Sequence, residues 1–295
     1  MTFPVISSNS MRIISLLVLA CLLQACSAAK LAYNQAPELA YWYLDGYVDF
    51  SSEQSLQVKD DLHKLQAWHR QTQLPTYIDT LQKMQQKIPG DVNARDTCDI
   101  LSEVRRKFLV LSDQTQPAVA AMLDTLTASQ IDVMARKFDK SNADFRKDYL
   151  QTAKPANQSK RYKQAVSRAE MLYGRLDDQQ LALIGQQVEK SRFNAALAYA
   201  ERQRRQQDTL QTLRAVLKNQ TSTDQKRQTV RGLFERALIS PNSNYADYVD
   251  ALTKENCKNF ADLHNSTTTN QRRKAVETLM GYEQDMKKLS AQGNG

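Results

Sequence analysis

Three histidines, four cysteines and 32 acidic side chains are the raw material for a reactive site in this 295-residue chain. The most site-like cluster is Trp68-His69-Arg70, where His69 follows Leu65 by four residues and so borders an apolar helical stripe. An imidazole there could move protons near neutral pH, or serve as a hydrogen-bonded boundary residue. None of His63, His69 and His264 stands at ligand spacing from a cysteine, so no metal and no cofactor are expected. The paired acids Asp60-Asp61 and Asp177-Asp178 are adjacent on helices and point in different directions; the second pair reads as a helix start. The sequence has no glycine-rich phosphate loop, no G-x-S-x-G elbow and no H-E-x-x-H pair. No catalytic residue is assigned, and the chain is not expected to be an enzyme. Asn142, at helical spacing between Phe138 and Phe145, is a buried-polar candidate that needs partners.

The clearest chemistry belongs to Cys26. Arg12 precedes an apolar and small-residue run from Ile13 to Leu23, which is the charge-then-apolar order of a secretory signal. The run falls short of the roughly 20 apolar residues that span a bilayer. Leu23-Gln24-Ala25-Cys26 resembles the bacterial lipobox, in which cleavage before the cysteine follows transfer of diacylglycerol to its sulfur. Ser27 after it is the pattern associated with outer-membrane export. One acyl chain holds a protein to a membrane only marginally, whereas two or more hold it stably. The expected organisation is a signal peptide over 1–25, with 1–10 as an upstream extension if Met11 is the start. A lipidated N-terminus and aromatic-rich first helix over 26–50 and a helical domain over 51–292 follow.

Export to an oxidising compartment would bear on the other cysteines. Cys21 leaves with the signal and Cys26 is consumed by lipid, so Cys98 and Cys257 remain and are most simply a disulfide; two isolated buried thiols are the alternative. Arg12 is the one charge before residue 26, so 39 of the 40 basic side chains and all 32 acidic ones follow it. The excess is local: between Arg136 and Arg168 ten Lys and Arg face three Asp. Such a face suits either an anionic neighbour or plain solvation. The candidate binding surface comprises Lys154, Lys160, Arg161, Lys163 and Arg168, with Arg202, Arg204 and Arg205 of the later polar run Glu201–Gln207. The expected partners are the membrane, through the anchor, and a protein or anionic envelope component. Nucleic acid is disfavoured by export.

Positioning these residues falls to helices. Eight glycines and seven prolines in 295 residues, with no alternating β-branched segment, point to an all-α, elongated and mostly antiparallel multi-helix bundle. Four segments place a capping side chain three before a glutamine: Ser51–Gln54, Thr127–Gln130, Asp177–Gln180 and Ser222–Gln225. Apolar residues at three- and four-residue steps follow each one. Leu74-Pro75 is expected to separate two helices, Pro117 to interrupt or kink another, and Lys154-Pro155 to end the helix begun after Thr127. A long helix is expected from Asp178 to about Lys218. The aromatics Tyr33, Tyr41, Trp42, Tyr43, Tyr47 and Phe50 could lie at a membrane interface; packing onto the domain is favoured.

The lipobox, YNQAP…YWYLDGYVDF, LQAWHRQTQLPTYIDTL, LTASQIDVMARKFDKSNADFRKDYL and AERQRRQQ together resemble an uncharacterised Gram-negative outer-membrane lipoprotein family of unknown function. That likeness implies a helical fold and an outer-membrane address, without a mechanism. Leu126-Thr127-Ala128-Ser129-Gln130 is also similar to the L-T-x-x-Q motif of periplasmic stress chaperones, which implies as an alternative a chaperone or stress-sensing role.

Overall fold

The computed structural model describes residues 30–151, 154–219 and 222–292, and among them all regular secondary structure is helical. The α-helices are α1 (Ala36–Val48), α2 (Ser52–Trp68), α3 (Leu74–Lys87), α4 (Ala94–Met122), α5 (Ala128–Phe145) and α6 (Lys154–Tyr173). They continue as α7 (Asp178–Lys190), α8 (Ala195–Asn219), α9 (Thr223–Leu238), α10 (Ser243–Asn265) and α11 (Thr269–Ala291). The fold is an all-α helical bundle. The signal, Cys26 and the side chain of Lys154 lie outside what is described. No described helix is long and apolar enough to cross a membrane.

All four expected capping boxes form, each with its reciprocal pair of hydrogen bonds. Two more appear: Asn93 with Asp96 opens α4, and Thr268 with Gln271 opens α11. The prolines behave differently from expectation. Pro117 lies inside an unbroken α4. Leu74-Pro75 does not separate α2 from α3, because a π-turn, His69–Gln73, joins them and the Leu74 N–H reaches the His69 carbonyl. The widened turn carries the helix past a proline that has no N–H to donate. A second π-turn, Arg146–Leu150, follows α5, and Lys154-Pro155 opens α6, where proline is compatible with a first helical turn. The long helix expected from Asp178 is two helices. Ser191 is extended, the Arg192 N–H donates to the Glu255 carboxylate at 3.0 Å, and Asn194 Oδ1 accepts from the Ala196 and Leu197 N–H groups at 3.0 and 3.1 Å. Asn194 is thus an N-cap that starts α8.

Two apolar cores result. In the first, Val48, Ala120, Leu123, Leu126 and Ile131 pack with Leu213 and Val216 of α8 and Val230 of α9. The second gathers Ile88, Ala169, Tyr173, Leu176, Ile184, Leu263, Ala275 and Leu279 from α6, α7, α10, α11 and the end of α3. The Cys98–Cys257 disulfide joins α4 to α10, with a Cα–Cα distance of 5.4 Å across 159 residues of chain.

Each core contains a joint between two helix starts. Gln54 and Gln130 exchange amide hydrogen bonds, 2.6 and 3.3 Å, while each oxygen also accepts its own N-cap N–H. Each Nε2 donates once more to the other segment, Gln54 to the Thr125 carbonyl at 2.9 Å and Gln130 to the Asp49 carbonyl at 3.0 Å. Gln180 and Gln271 repeat this arrangement: both exchanged bonds are 2.8 Å, and the further acceptors are the Ser266 and Arg175 carbonyls. In all four cases that carbonyl lies two residues before the partner's N-cap. Every donor and acceptor of each amide is used, which is what makes such a group tolerable inside a core.

Candidate functional site

The eight basic residues of the candidate surface divide by helix. Arg202, Arg204 and Arg205 lie on α8 and are engaged internally. Arg204 and Arg205 grip the buried Glu201 through contacts of 2.8 to 3.0 Å, and Ser240 adds a hydroxyl at 2.9 Å. Burial alone would raise the Glu201 pKa, but hydrogen bonds from Arg204, Arg205 and Ser240 outweigh it and hold the carboxyl below its usual range. Asp208 continues the network, accepting from Arg236 of α9 at 2.8 and 2.9 Å. This chain of charges fastens α8 to α9. Arg202 instead reaches α5, donating to Asn142 Oδ1 at 2.9 Å and to Ser141 at 2.8 Å. Asn142, nearly sealed, donates in turn to Gln206 at 2.7 Å, so the polar side chain between Phe138 and Phe145 sets the α5–α8 contact.

The α6 residues are differently placed. Lys163 and Arg168 are exposed. Lys160 pairs with Asp148 at 2.7 Å and lies 4.9 Å from the Tyr149 ring. Arg161 is half-buried, with its guanidinium 4.6 Å from the Phe193 ring, and it donates no hydrogen bond to any described residue. Burial lowers its pKa from the ordinary guanidinium value, partly offset by Glu255; it remains a cation. It borders a hollow of about 470 Å³ between the Arg146–Leu150 turn, α6 and the α7–α8 link. Asn157, Gln158, Glu189 and Ser191 supply further polar groups to its wall. A planar five-donor cation held over a ring suits a carboxylate or phosphate; the exposed Glu189 disfavours a bare polyanion and suits a ligand that also brings N–H donors.

Trp68-His69-Arg70 holds the start of the described chain. The His69 ring sits between two phenols, Nδ1 2.9 Å from the Tyr33 hydroxyl and Nε2 3.2 Å from that of Tyr77. Burial lowers its pKa. Arg70 donates to Asn34 at 2.9 Å and covers the Tyr33 ring. That geometry fastens residues 33–34 onto α2 and α3. Among the described residues, no group of three His, Cys, Asp or Glu is placed to hold a metal ion.

What the sequence reading missed is the hollow itself and the break that creates it. The Asn194 cap was a visible signal, since an asparagine followed by a run of small helix formers is an ordinary helix start.

No curated protein and no solved structure matches the chain. A family model does, over residues 46–236, which holds the whole first glutamine joint, α6 and the Arg161 hollow. The chain therefore belongs to DUF6279, a family of unknown function.

Proposed function

We propose that this chain is a lipid-tethered envelope protein, without catalytic activity, that binds an acidic segment of a protein partner through α6. The tether is Cys26, read from the Leu23–Cys26 lipobox, and the address is the periplasm-facing or surface side of the outer membrane. The observation that carries the binding reading is Arg161: a half-buried guanidinium beside an open hollow, with no acceptor among the described residues. Lys163 and Arg168, both exposed, add positive charge to the same helix, which favours encounter with an anionic partner, whereas Lys160 is already paired with Asp148. Arg204 and Arg205 are excluded from this surface because both are paired with the buried Glu201, and Arg202 because it is turned to α5, where its neutral partners Asn142 and Ser141 leave its charge in place.

The test is photocrosslinking in cells from a probe at Gln164, compared between the parent chain and one carrying Arg161→Glu and Lys163→Glu. Loss of one discrete adduct in the charge-reversed chain is the expected result; an unchanged adduct pattern refutes the surface. Labelling with a fatty-acid analogue tests the tether separately, and it should be lost in Cys26→Ser. A chaperone role rests on Leu126–Gln130, but Gln130 is committed to the first glutamine joint, so the motif has a structural use here. Suppression of client aggregation at near-stoichiometric amounts would nonetheless favour that role.

A further inference from the structure

Helix α1 carries an outward face that the bundle leaves uncovered. Trp42 is 76% exposed, Tyr43 60% and Leu39 56%, while Tyr47 and Phe50 pack against the first core. The favoured packing of the aromatics therefore holds for the latter pair and fails for Trp42 and Tyr43. At about 100° per residue, Leu39, Trp42, Tyr43 and Gly46 fall within roughly one third of the helix circumference. A large apolar patch left open in this way usually marks a docking surface. Its chemistry narrows the choice of occupant: indole and phenol rings flanked by an aliphatic side chain are the groups favoured where hydrocarbon meets headgroups.

The edge of the patch is cationic. Lys137 of α5 lies 5.4 Å from the Tyr47 ring, and its Nζ would be 3.6 Å from a Cβ placed on Gly46. Arg202 stands close enough for its charge to act on the Tyr43 hydroxyl. The acids of α1 are turned away. Glu38 and Asp45 lie about 90° or more round the helix from the patch centre, and Glu38 faces Lys59 at 3.9 Å. Apolar rings bordered by cations match an anionic bilayer surface, where buried area and charge attraction add. The geometry also suits the tether. Cys26 lies four residues before Lys30, where the described chain begins as helix leading into α1, a reach of at most about 14 Å, so an acylated sulfur would keep the start of that helix beside the bilayer.

We infer that the Leu39–Trp42–Tyr43 face of α1 seats on an anionic lipid surface, with Lys137 and Arg202 over the headgroups. The inference takes its membrane from the proposed tether, and the experiment separates the two. The chain of residues 27–295, which contains every described element and no acylation site, is prepared with Trp68→Phe so that Trp42 is the sole indole. It is mixed with vesicles of 30% phosphatidylglycerol in phosphatidylethanolamine, with and without bromine on the acyl chains. Expected are at least twofold quenching of Trp42 by the brominated lipid and at least tenfold weaker co-sedimentation of Leu39→Ser/Tyr43→Ser. Lys137→Glu should weaken binding several-fold. Phe108→Ser, which alters an exposed apolar residue on α4, should bind like the parent.

An unquenched Trp42, or binding insensitive to Leu39→Ser/Tyr43→Ser in a chain of unchanged helicity, overturns the inference. So does concentration-dependent self-association abolished by the same pair, which would make the face an interface between copies. Failure of the tether reading looks different: residue 26 unacylated in cells while vesicle quenching of Trp42 persists.

Discussion

At the first glutamine joint, Gln54 and Gln130 are both nearly sealed, and each N-cap is preceded by a large apolar residue, Phe50 or Leu126. At the second, Gln180 is 1% exposed beside Leu176, whereas Gln271 keeps part of its surface and follows Thr267-Thr268. Thr267 cannot supply an apolar staple. Its hydroxyl instead bonds the His264 carbonyl and accepts from Arg272 Nε at 3.2 Å, and Arg272 pairs with Asp91 at 2.6 Å. The same hydrogen-bond scheme is thus supported by apolar packing in one region and by a polar brace in the other. The reciprocal amide pair is what stays constant, so it, and not the flanking residue, defines the joint.

The disulfide spans the two regions, and its removal carries the largest expected effect. Closing a loop of 159 residues is worth about 5 kcal/mol in the chain-entropy model, with measured values often lower. Cys98→Ala with Cys257→Ala should therefore lower stability by about 4 kcal/mol in urea unfolding. It should also split a single calorimetric transition into two if the α4–α10 link is what makes the regions melt together. A loss below about 1 kcal/mol would mean that the other helix contacts already couple them.

The glutamines come next. Gln180→Ala removes the acceptor for the Asp177 N–H, the donor to the Ser266 carbonyl and both bonds to Gln271, so it should cost about 3 kcal/mol. Gln54→Ala should cost about 2 kcal/mol, and Gln271→Ala less than Gln180→Ala because its site is partly open to water. A double-mutant cycle on Gln54 and Gln130 should return a coupling of about 1–2 kcal/mol, while Gln54 and Gln180 should add to within about 0.5 kcal/mol. Coupling between the last two would break the picture of two separate joints.

Much of this was legible from spacing. A cap three residues before a glutamine located four helix starts, and the apolar steps after them supplied Ile131, Ile184 and Val230 to the cores. The fifth glutamine box was hidden because Thr267-Thr268-Thr269 reads as a plain loop. What one sequence does not carry is pairing: nothing local to Gln54 says that its amide meets Gln130, because that contact depends on how α1, α2 and α5 stack. The basic surface failed in part for a similar reason. Arg204 and Arg205 look like a grip for a ligand until Glu201, on the same helix face, is found buried beneath them. Proline was over-read as a separator at Pro75, where a π-turn carries the helix past the missing N–H, and as an interruption at Pro117, which lies inside the continuous α4.

Two histidines, one enclosed in the second core and one half-buried at the α2–α3 turn, should respond to acid by a smaller effect. His264 is fully enclosed; its Nε2–H donates to the Gly90 carbonyl at 2.8 Å, and Nδ1 accepts from the Tyr173 hydroxyl at 3.0 Å. Burial pushes its pKa below 6.5, more than the Gly90 hydrogen bond restores. Above 6.5 neither the folded nor the unfolded chain holds the proton, and the neutral ring contributes fully. As pH falls below 6.5 the unfolded chain is protonated first, so stability declines until pH passes the lower folded value. The urea midpoint should therefore drop from pH 7.5 to pH 5, and His264→Gln should flatten that slope. His69, also lowered by burial, faces two phenols and should leave a smaller residual slope. An unchanged slope in His264→Gln would show that acid weakens the fold elsewhere.

The smallest effect is expected at Gln225, and it tests what the joints add to a helix cap. Gln225 has the same box, accepting the Ser222 N–H at 2.9 Å while the Ser222 hydroxyl accepts its own, but the side chain is exposed and meets no second glutamine among the described residues. Its removal leaves the Ser222 N–H free to bond water, so Gln225→Ala should cost only about 0.5 kcal/mol. The ratio to Gln180→Ala, about one to six, then measures burial and amide exchange apart from capping. If Gln225→Ala proved as damaging as Gln180→Ala, capping alone would account for the loss, and the paired amides would be a consequence of helix packing with no stabilising role of their own.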